Sequence, residues 1–174
     1  VQLRSNLVYR VVFGIGKAYG NSNSLPFEKQ FYAGGANSLR GWPIRGVGPG
    51  SAKPDTAFVI PHQLGDMRFE ANLEYRFPLF WRFEGAAFID AGNVWSINPK
   101  EDRPGAKLTS RFYKEIAANT GLGLRLNLGY FVIRLDAGFR VHDPARDSGE
   151  KFIAPNKWLK GGNNAINIGV NYPF

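Results

Sequence analysis

Two acidic residues have the type and spacing that could support chemistry in this sequence. Glu74 and Asp90 each lie on the polar side of an alternating segment, so adjacent strands would direct both carboxylates to one face of a sheet. Two facing carboxylates can act as the acid and base of a glycoside hydrolase, or they can form ion pairs with nearby arginines. Because nothing else in the sequence indicates a sugar site, the ion-pair interpretation is favoured.

Other candidate catalytic groups are few. The chain of 174 residues has no Cys and two His, which excludes a thiolate nucleophile, a Cys-ligated metal and a His-rich metal site. His142 and Asp143 stand in a polar segment without an identifiable catalytic partner. The glycine-rich stretch 46–51 lacks the Lys-Ser/Thr ending of a phosphate-binding loop. We therefore expect no enzyme, no cofactor and no metal.

Apolar and polar residues alternate through most of the chain, and this period of two predicts an antiparallel all-β protein. The 21 Gly and 11 Pro favour short strands joined by turns over helices. Six strands and a weaker seventh are predicted at 3–15, 67–78, 82–95, 116–128, 131–140 and 165–172, and near 30–37.

A soluble sandwich also alternates, but the connections favour a transmembrane β-barrel. Those at 79–81 and 129–130 are very short, whereas those at 38–66, 96–114 and 141–164 are long, as in barrels with short periplasmic turns and long external loops. Aromatic residues gather at both ends of the strands, as at two bilayer interfaces. They are Phe77, Phe80, Trp81, Phe83, Tyr130, Phe131, Tyr172 and Phe174 at the short connections, and Trp95, Phe112, Tyr113 and Phe139 at the long ones.

The positive charge of the chain fits the same interpretation. Lys and Arg number 22 against 14 Asp and Glu, which gives 22 − 14 = +8. Seven arginines fall on the polar faces of the strands, where they would line a water-filled lumen: Arg10, Arg68, Arg76, Arg82, Arg125, Arg134 and Arg140. No nucleic-acid partner is expected.

The number of predicted strands indicates a part of a larger barrel. Seven is odd, whereas single-chain bacterial barrels have even numbers, and an open sheet leaves two unpaired edges. The chain also begins with Val1 inside an alternating pattern, as if it were cut there. We expect the remaining strands of the barrel to lie upstream or in another copy.

Four segments resemble one family in their order along the chain. The segment from Leu25 to Trp42, which ends in the tripeptide 40–42 (Arg-Gly-Trp), is similar to a strand and loop of the BamA/TamA-type outer-membrane assembly superfamily. Segments 72–78 and 88–95 resemble the two strands that follow this loop, and 166–174 resembles a final strand. The Trp is a mild departure, because many members have Phe or Tyr there.

This resemblance implies a fold and a chain organisation. Residues 1–174 would form about the last seven strands of a larger, sixteen-stranded antiparallel transmembrane β-barrel. Upstream strands and POTRA modules would be absent from this chain. A long loop, about 37–66, would fold back into the lumen.

The resemblance also implies a loop lock. Arg40, followed by Gly41 and Trp42, would lie between Glu74 and Asp90 and hold the loop inside the barrel. A guanidinium suits this position because it offers a planar fork of donors to carboxylates. The alternative is a solvated loop arginine, with the two acids paired to strand arginines.

Five further positions have predicted roles, of which the gate is implied by the resemblance. Gly34 and Gly35 permit positive φ where the loop turns inward. Gly169, with Tyr172 and Phe174 in the last strand, would form a gate at which the barrel seam opens. The alternative for Gly169 is that it leaves room for a side chain in the lumen.

The implied function is the folding and insertion of outer-membrane proteins through a lateral seam, in the outer membrane of a Gram-negative bacterium. The implied partners are the remaining strands, POTRA modules, nascent outer-membrane proteins, the lipid bilayer and possible accessory lipoproteins. A polypeptide-secretion pore of the same superfamily is an alternative, and a passive porin or receptor barrel is another. Upstream POTRA repeats would support the superfamily, and their number would help to separate its branches.

Overall fold

The fold is all-β in a computed structural model that describes residues 5–22, 24–54 and 63–174. Six strands form one antiparallel sheet in the order β1-β4-β5-β6-β7-β8, and two short strands pair separately. The strands are β1 (Asn6–Ile15), β2 (Phe31–Tyr32), β3 (Leu64–Gly65), β4 (Met67–Pro78), β5 (Phe83–Trp95), β6 (Ala117–Asn127), β7 (Val132–His142) and β8 (Asn164–Val170). The predicted antiparallel order of the long strands is confirmed.

The weak strand near 30–37 is a correction to the sequence analysis. The only strand there within the described residues is Phe31–Tyr32, which pairs with Leu64–Gly65 outside the large sheet. The two glycines at 34 and 35 have positive φ and end the extended conformation. Among the described residues the large sheet therefore has six strands and not seven, so its strand number is even and does not by itself indicate a partial barrel. Residues 55–62 of the predicted loop and residues 3–4 of the first predicted strand lie outside the described part.

Short and long connections alternate as predicted. β4 and β5 meet in a tight turn at 79–82, and β6 and β7 meet in another at 128–131. The connections at the opposite end contain short 3-10 turns at Phe27–Lys29, Phe112–Glu115 and Pro155–Lys157. Within the described residues, no helix is long and apolar enough to cross a membrane.

Burial in the sheet is the reverse of that in a soluble protein. Apolar side chains on one face are exposed, such as Leu122 at 63% and Ile168 at 77%, whereas Glu74, Asp90 and Asp136 on the other face are fully buried. An apolar outer face and a charged inner face are the properties of a transmembrane barrel wall.

The inner face curves around the loop that follows β2. Arg10 of β1 and Arg134 of β7 both reach this loop, the first through the carbonyl of Asn37 at 2.8 Å and the second through that of Ala36 at 2.8 Å. Strands near opposite edges of the sheet therefore contact the same few residues. Within the described residues the two edge strands, β1 and β8, are not hydrogen-bonded to each other, as predicted for an open piece of barrel.

The predicted position of Trp95 is also wrong. We expected it in the outer aromatic belt, but it is fully buried. The connection after β5 covers it, because its indole N–H donates to Glu115 at 2.7 Å and its ring meets Phe112 edge to face. At the opposite end Trp81 and Tyr130 are exposed, as expected for an aromatic belt.

Candidate functional site

The loop after β2 turns toward the inner face at two glycines. Gly34 and Gly35 have φ values of 103° and 98°, which side chains rarely permit. A Cβ atom on Gly34 would also lie 2.5 Å from the carbonyl oxygen of Pro43. The Gly35 amide donates to the Trp42 carbonyl at 3.0 Å and closes the turn. Both glycines thus direct the loop into the lumen.

Arg40 fastens this loop to the wall. Its Nε and Nη2 atoms donate to the two carboxylate oxygens of Asp90 at 3.0 and 2.9 Å, and its backbone amide donates to Asp90 at 3.2 Å. Its Nη1 atom donates to Glu74. The acids stand on the adjacent strands β4 and β5, so the structure brings together the three residues selected from the sequence.

An aromatic ring and two glycines shape the wall beneath the guanidinium. The register aligns Glu74, Phe88, Gly121 and Gly138 in one row across four strands. The Phe88 ring centroid is 3.4 Å from the central carbon of the Arg40 guanidinium, which is a cation–π contact. A Cβ atom on Gly138 would strike the Arg40 carbonyl group, and one on Gly121 would strike the Phe88 ring. Small residues therefore make the space that the loop fills.

The site is charged and dry. Arg40, Glu74 and Asp90 are all fully buried. Buried ions are tolerated when each has partners that replace water, and every charge here has them. Burial by itself lowers the pKa of Arg40, but the hydrogen bonds and charges of Asp90, and then of Glu74, outweigh burial and raise that pKa above its usual value. Arg40 therefore stays protonated.

A second group of charges extends this site, and the sequence analysis did not assign it. Arg125 donates to Glu74 at 3.2 Å and to Asp136 at 2.5 Å. Arg134 donates to Asp136 at 3.0 Å, and Arg76 donates to Glu74 at 2.7 Å. Alternation had already placed the arginines on the polar face, but only the register of the strands shows which charges meet.

Two side-chain amides and one hydroxyl also donate hydrogen bonds to carboxylates of the inner face. The register aligns Asn72, Asp90 and Asn119 in one row, and both amides donate to Asp90, at 2.9 and 3.0 Å. Ser38 of the loop donates to Glu70 at 2.5 Å. Asp90 thus receives donors from the loop and from both neighbouring strands.

The other two residues of the tripeptide also pack against the wall. A Cβ atom on Gly41 would lie 2.7 Å from that of Asn119, and the Gly41 carbonyl accepts a hydrogen bond from Arg140 at 3.0 Å. Trp42 is buried with the Arg140 guanidinium 5.0 Å from its ring. It belongs to an apolar cluster of Ala33, Leu39, Trp42, Val47, Val94 and Ala117. The hydrophobic core of this chain therefore lies largely in the loop and its contact with the wall.

The last strand touches the same site. Asn167 of β8 donates to the Arg40 carbonyl at 2.9 Å. Gly169 is paired with Arg134, and a Cβ atom on Gly169 would lie 2.5 Å from the Nε atom of that arginine. Gly169 therefore makes room for a lumen side chain, which is the alternative given above, and its role as a hinge stays a prediction.

The prediction for the last strand is also wrong at its C-terminal end. Alternation was expected to continue through Tyr172 and Phe174, but β8 ends earlier and Asn171 has a φ of 65°. The Tyr172 hydroxyl donates to Glu84 at 2.9 Å, and the Arg76 guanidinium lies 4.1 Å from the Tyr172 ring. The positive φ breaks the strand, and the polar inner face supplies partners for the aromatic tail.

The alternative of a solvated Arg40 is wrong. Of the strand arginines considered as partners for the two acids, Arg68 instead donates to Glu70 at 2.7 Å, and Arg82 donates to the Leu128 carbonyl at 3.2 Å. Of these three arginines only Arg76 contacts one of the two acids, because it donates to Glu74.

The fold and this site together define a class of protein. A sheet with an exposed apolar outer face, and a charged inner face that holds an arginine-anchored loop, is the wall of an outer-membrane β-barrel. The chain belongs to the Omp85 superfamily, since residues 2–154 match the Omp85 superfamily domain. This superfamily of bacterial and organellar outer-membrane barrels inserts or secretes polypeptides, and its members work with POTRA modules and substrate proteins.

Proposed function

We propose that this chain is the C-terminal part of a BamA/TamA-like barrel that folds and inserts outer-membrane proteins in a Gram-negative bacterium, without bond chemistry. The observation that carries the proposal is the anchoring of the loop at Arg40 by Asp90 and Glu74. The anchored loop fills the space inside the curved wall. The proposed partners are the upstream strands and POTRA modules, nascent outer-membrane proteins, the lipid bilayer and possible accessory lipoproteins.

A filled lumen favours insertion at the seam over passage through the barrel. Leu39, Arg40 and Trp42 are all buried against the wall, so the loop occupies the part of the lumen that the six described strands surround. A secretion pore or a passive porin must break the buried ion pairs in each opening, whereas an insertion factor can keep them. We therefore rank the secretion pore second and the porin third.

The last strand supplies a surface for a client. β8 (Asn164–Val170) pairs with β7 on one side only among the described strands, so its other edge would lie at the seam of the complete barrel and would offer backbone donors and acceptors when the seam opens. An extended client segment could pair with such an edge by strand addition. Because Asn167 of β8 also donates to the carbonyl of Arg40, the anchored loop supports the strand that the client would meet.

A disulfide across the site separates insertion from secretion. The natural chain has no Cys, and the Cβ positions of residues 41 and 119 are 2.7 Å apart, so a shift of about 1 Å would bring a Gly41→Cys/Asn119→Cys pair to disulfide geometry. The full-length variant in proteoliposomes should fold an unfolded client barrel equally well when oxidised and when reduced. Insertion that requires reduction would show that the loop must leave its site, which removes the reason for ranking insertion above secretion, and each protein serves as its own control.

Labelling tests whether the loop is inside in the membrane. In the full-length protein, a Leu39→Cys variant, which keeps the Arg40 anchor, should react at least tenfold more slowly with a bulky external thiol reagent than a Gly149→Cys variant. Gly149 is exposed in an external connection, whereas Leu39 is buried. Equal rates would show that the loop lies outside the lumen, and the proposed function would lose its main support.

A further inference from the structure

A groove on the outer face of the sheet has no role in the loop site. It has a volume of about 720 Å³ and lies where β6 begins and β7 ends, at the end of the barrel with the long connections. Because long connections face the outside of the cell in outer-membrane barrels, the groove lies at the level of the outer leaflet. Its lining includes Ile116, Ala118, His142 and Phe152, with Lys114 and Lys151 at its rim.

The floor of the groove is built from the sheet itself. Ala118 of β6 is paired with His142 of β7, and His142 forms a further bridge with Phe152. The Ile153 amide donates to the Val141 carbonyl at 2.9 Å, so this segment extends the sheet beside β7. The groove therefore has a rigid, largely apolar floor in which the small Ala118 leaves a depression.

The outer face that carries the groove is the lipid-facing one. Neighbouring residues of β6 point alternately into the lumen and outward, so Ala118 shares its side with Leu122, which is 63% exposed, while Asn119 contacts Asp90 in the lumen. Phe152 is 78% exposed on the same side. An acyl chain is the natural neighbour of such a surface.

The rim of the groove is positively charged. Lys114 and Lys151 stand on two different connections, and neither ammonium forms an ion pair within residues 5–22, 24–54 and 63–174. Among the described residues no acid lines the groove: Glu115 accepts from the Trp95 indole, Asp143 is paired with arginine, and Glu150, next to Lys151, is outside the lining. Two unneutralised ammonium groups above an apolar floor match an amphiphile with an anionic head.

We propose that this groove binds a phosphorylated lipid of the outer leaflet. The phosphate would contact Lys114 and Lys151, and an acyl chain would lie along Ile116, Ala118 and Phe152. Long lysine side chains at a membrane interface place their ammonium groups at headgroup level while their stems cover apolar surface. The site depends on the position of the barrel in the membrane and is independent of the assembly activity proposed above.

Binding of lipid A to the purified full-length protein in a neutral detergent tests the site, with native mass spectrometry as the readout. A Lys114→Ala/Lys151→Ala variant should bind lipid A at least fivefold more weakly. The matched control is Lys157→Ala/Lys160→Ala. It removes two exposed lysines that lie on the same connection as Lys151 but do not line the groove. The control should stay within twofold of the natural protein.

Two further measurements identify the ligand chemistry. A Phe152→Ser variant should weaken lipid A binding at least threefold, and millimolar inorganic phosphate should not displace the lipid. Complete displacement would mean a site for free anions and would overturn the proposal. Equal weakening in both lysine variants would also overturn it, because it would indicate general attraction to a basic surface. Unchanged binding in the Lys114→Ala/Lys151→Ala variant would show that the groove is not the site.

Discussion

Two ion pairs of nearly equal length have very different surroundings in this molecule. Arg40 and Asp90 are 2.9 Å apart in the lumen, with side chains 1% and 0% exposed. Lys53 and Asp147 are 2.8 Å apart on the external connections, with side chains 70% and 77% exposed. An exposed ion pair adds little stability, because water solvates both charges when the pair is broken. Each buried ion instead depends on its partners to replace the water it has lost. Burial, and not distance, therefore decides which pair the fold needs.

The largest effect is expected for Arg40→Ala. This change leaves Glu74 and Asp90 without their shared cation, and breaking a buried pair typically costs about 3–5 kcal/mol. We expect a loss near the lower end of that range, because Arg125 and Arg76 still contact Glu74. Urea unfolding of the full-length protein in detergent measures it.

The control for that variant is Arg103→Ala. Arg103 pairs with Glu101 at 2.9 Å in a long external connection and is about half exposed, so its loss should cost at most about 1 kcal/mol. Similar losses for the two variants would mean that burial does not distinguish the two regions.

Arg40→Lys should have a smaller effect. Lys keeps the charge but cannot bind both oxygens of Asp90 while also reaching Glu74. Loss of one hydrogen bond between charged groups corresponds to about 1.5–3 kcal/mol. The assembly rate of the full-length protein in proteoliposomes should fall between those of the natural protein and Arg40→Ala. A rate equal to that of the natural protein would show that charge alone holds the loop.

Phe88→Leu should cost about 1–2 kcal/mol through loss of the desolvated cation–π contact with Arg40. Phe13→Leu is the comparison, because Phe13 is 62% exposed on the outer face of β1 and contacts no lumen charge. The difference between the two urea unfolding free energies isolates the contribution of the ring. Equal losses would indicate that Phe88 contributes only volume.

Gly169→Ala should destabilise the protein by about 1 kcal/mol, since the new methyl group displaces Arg134. Combining it with Arg134→Ala distinguishes the two interpretations of Gly169. If the glycine only makes room, Gly169→Ala should add almost nothing to the Arg134→Ala variant in unfolding and assembly measurements. An assembly defect that persists in the double variant would support the hinge.

The smallest effect is expected for Asp147→Asn, which removes the exposed ion pair with Lys53. Lys53 and Asp147 are both largely exposed, so solvent replaces the lost partner. The urea midpoint should not change, at low or at high salt. A clear shift at low salt would mean that the external connections also depend on charge pairing.

Much of the wall could be predicted from the sequence, because alternation is a local property. A period of two assigns each side chain of a strand to one of two faces, and so it placed Glu74 and Asp90 together on the inner face. The short turns then predicted which strands are neighbours. The resemblance supplied Arg40 as the partner of the two acids, which alternation alone did not select.

Predictions from local sequence patterns were wrong where backbone conformation or contacts between elements determine the structure. A short alternating stretch near 30–37 predicted a strand, but positive φ at Gly34 and Gly35 ends it after two residues. Trp95 was assigned to an aromatic belt, and Phe112 and Glu115 of the connection after β5 cover it instead. The left-handed conformation of Asn171 likewise breaks the last strand before Tyr172.

The sequence by itself determined the β class, the two faces of the wall, the order of the long strands and the side on which the charges lie. Only the tertiary structure decided which charges meet, because that depends on register and on a loop from outside the sheet. Register placed Phe88 under Arg40 and aligned Asn72, Asp90 and Asn119. The physical reason is that alternation fixes the direction of a side chain, whereas an ion pair requires a position defined to within an ångström by several strands at once.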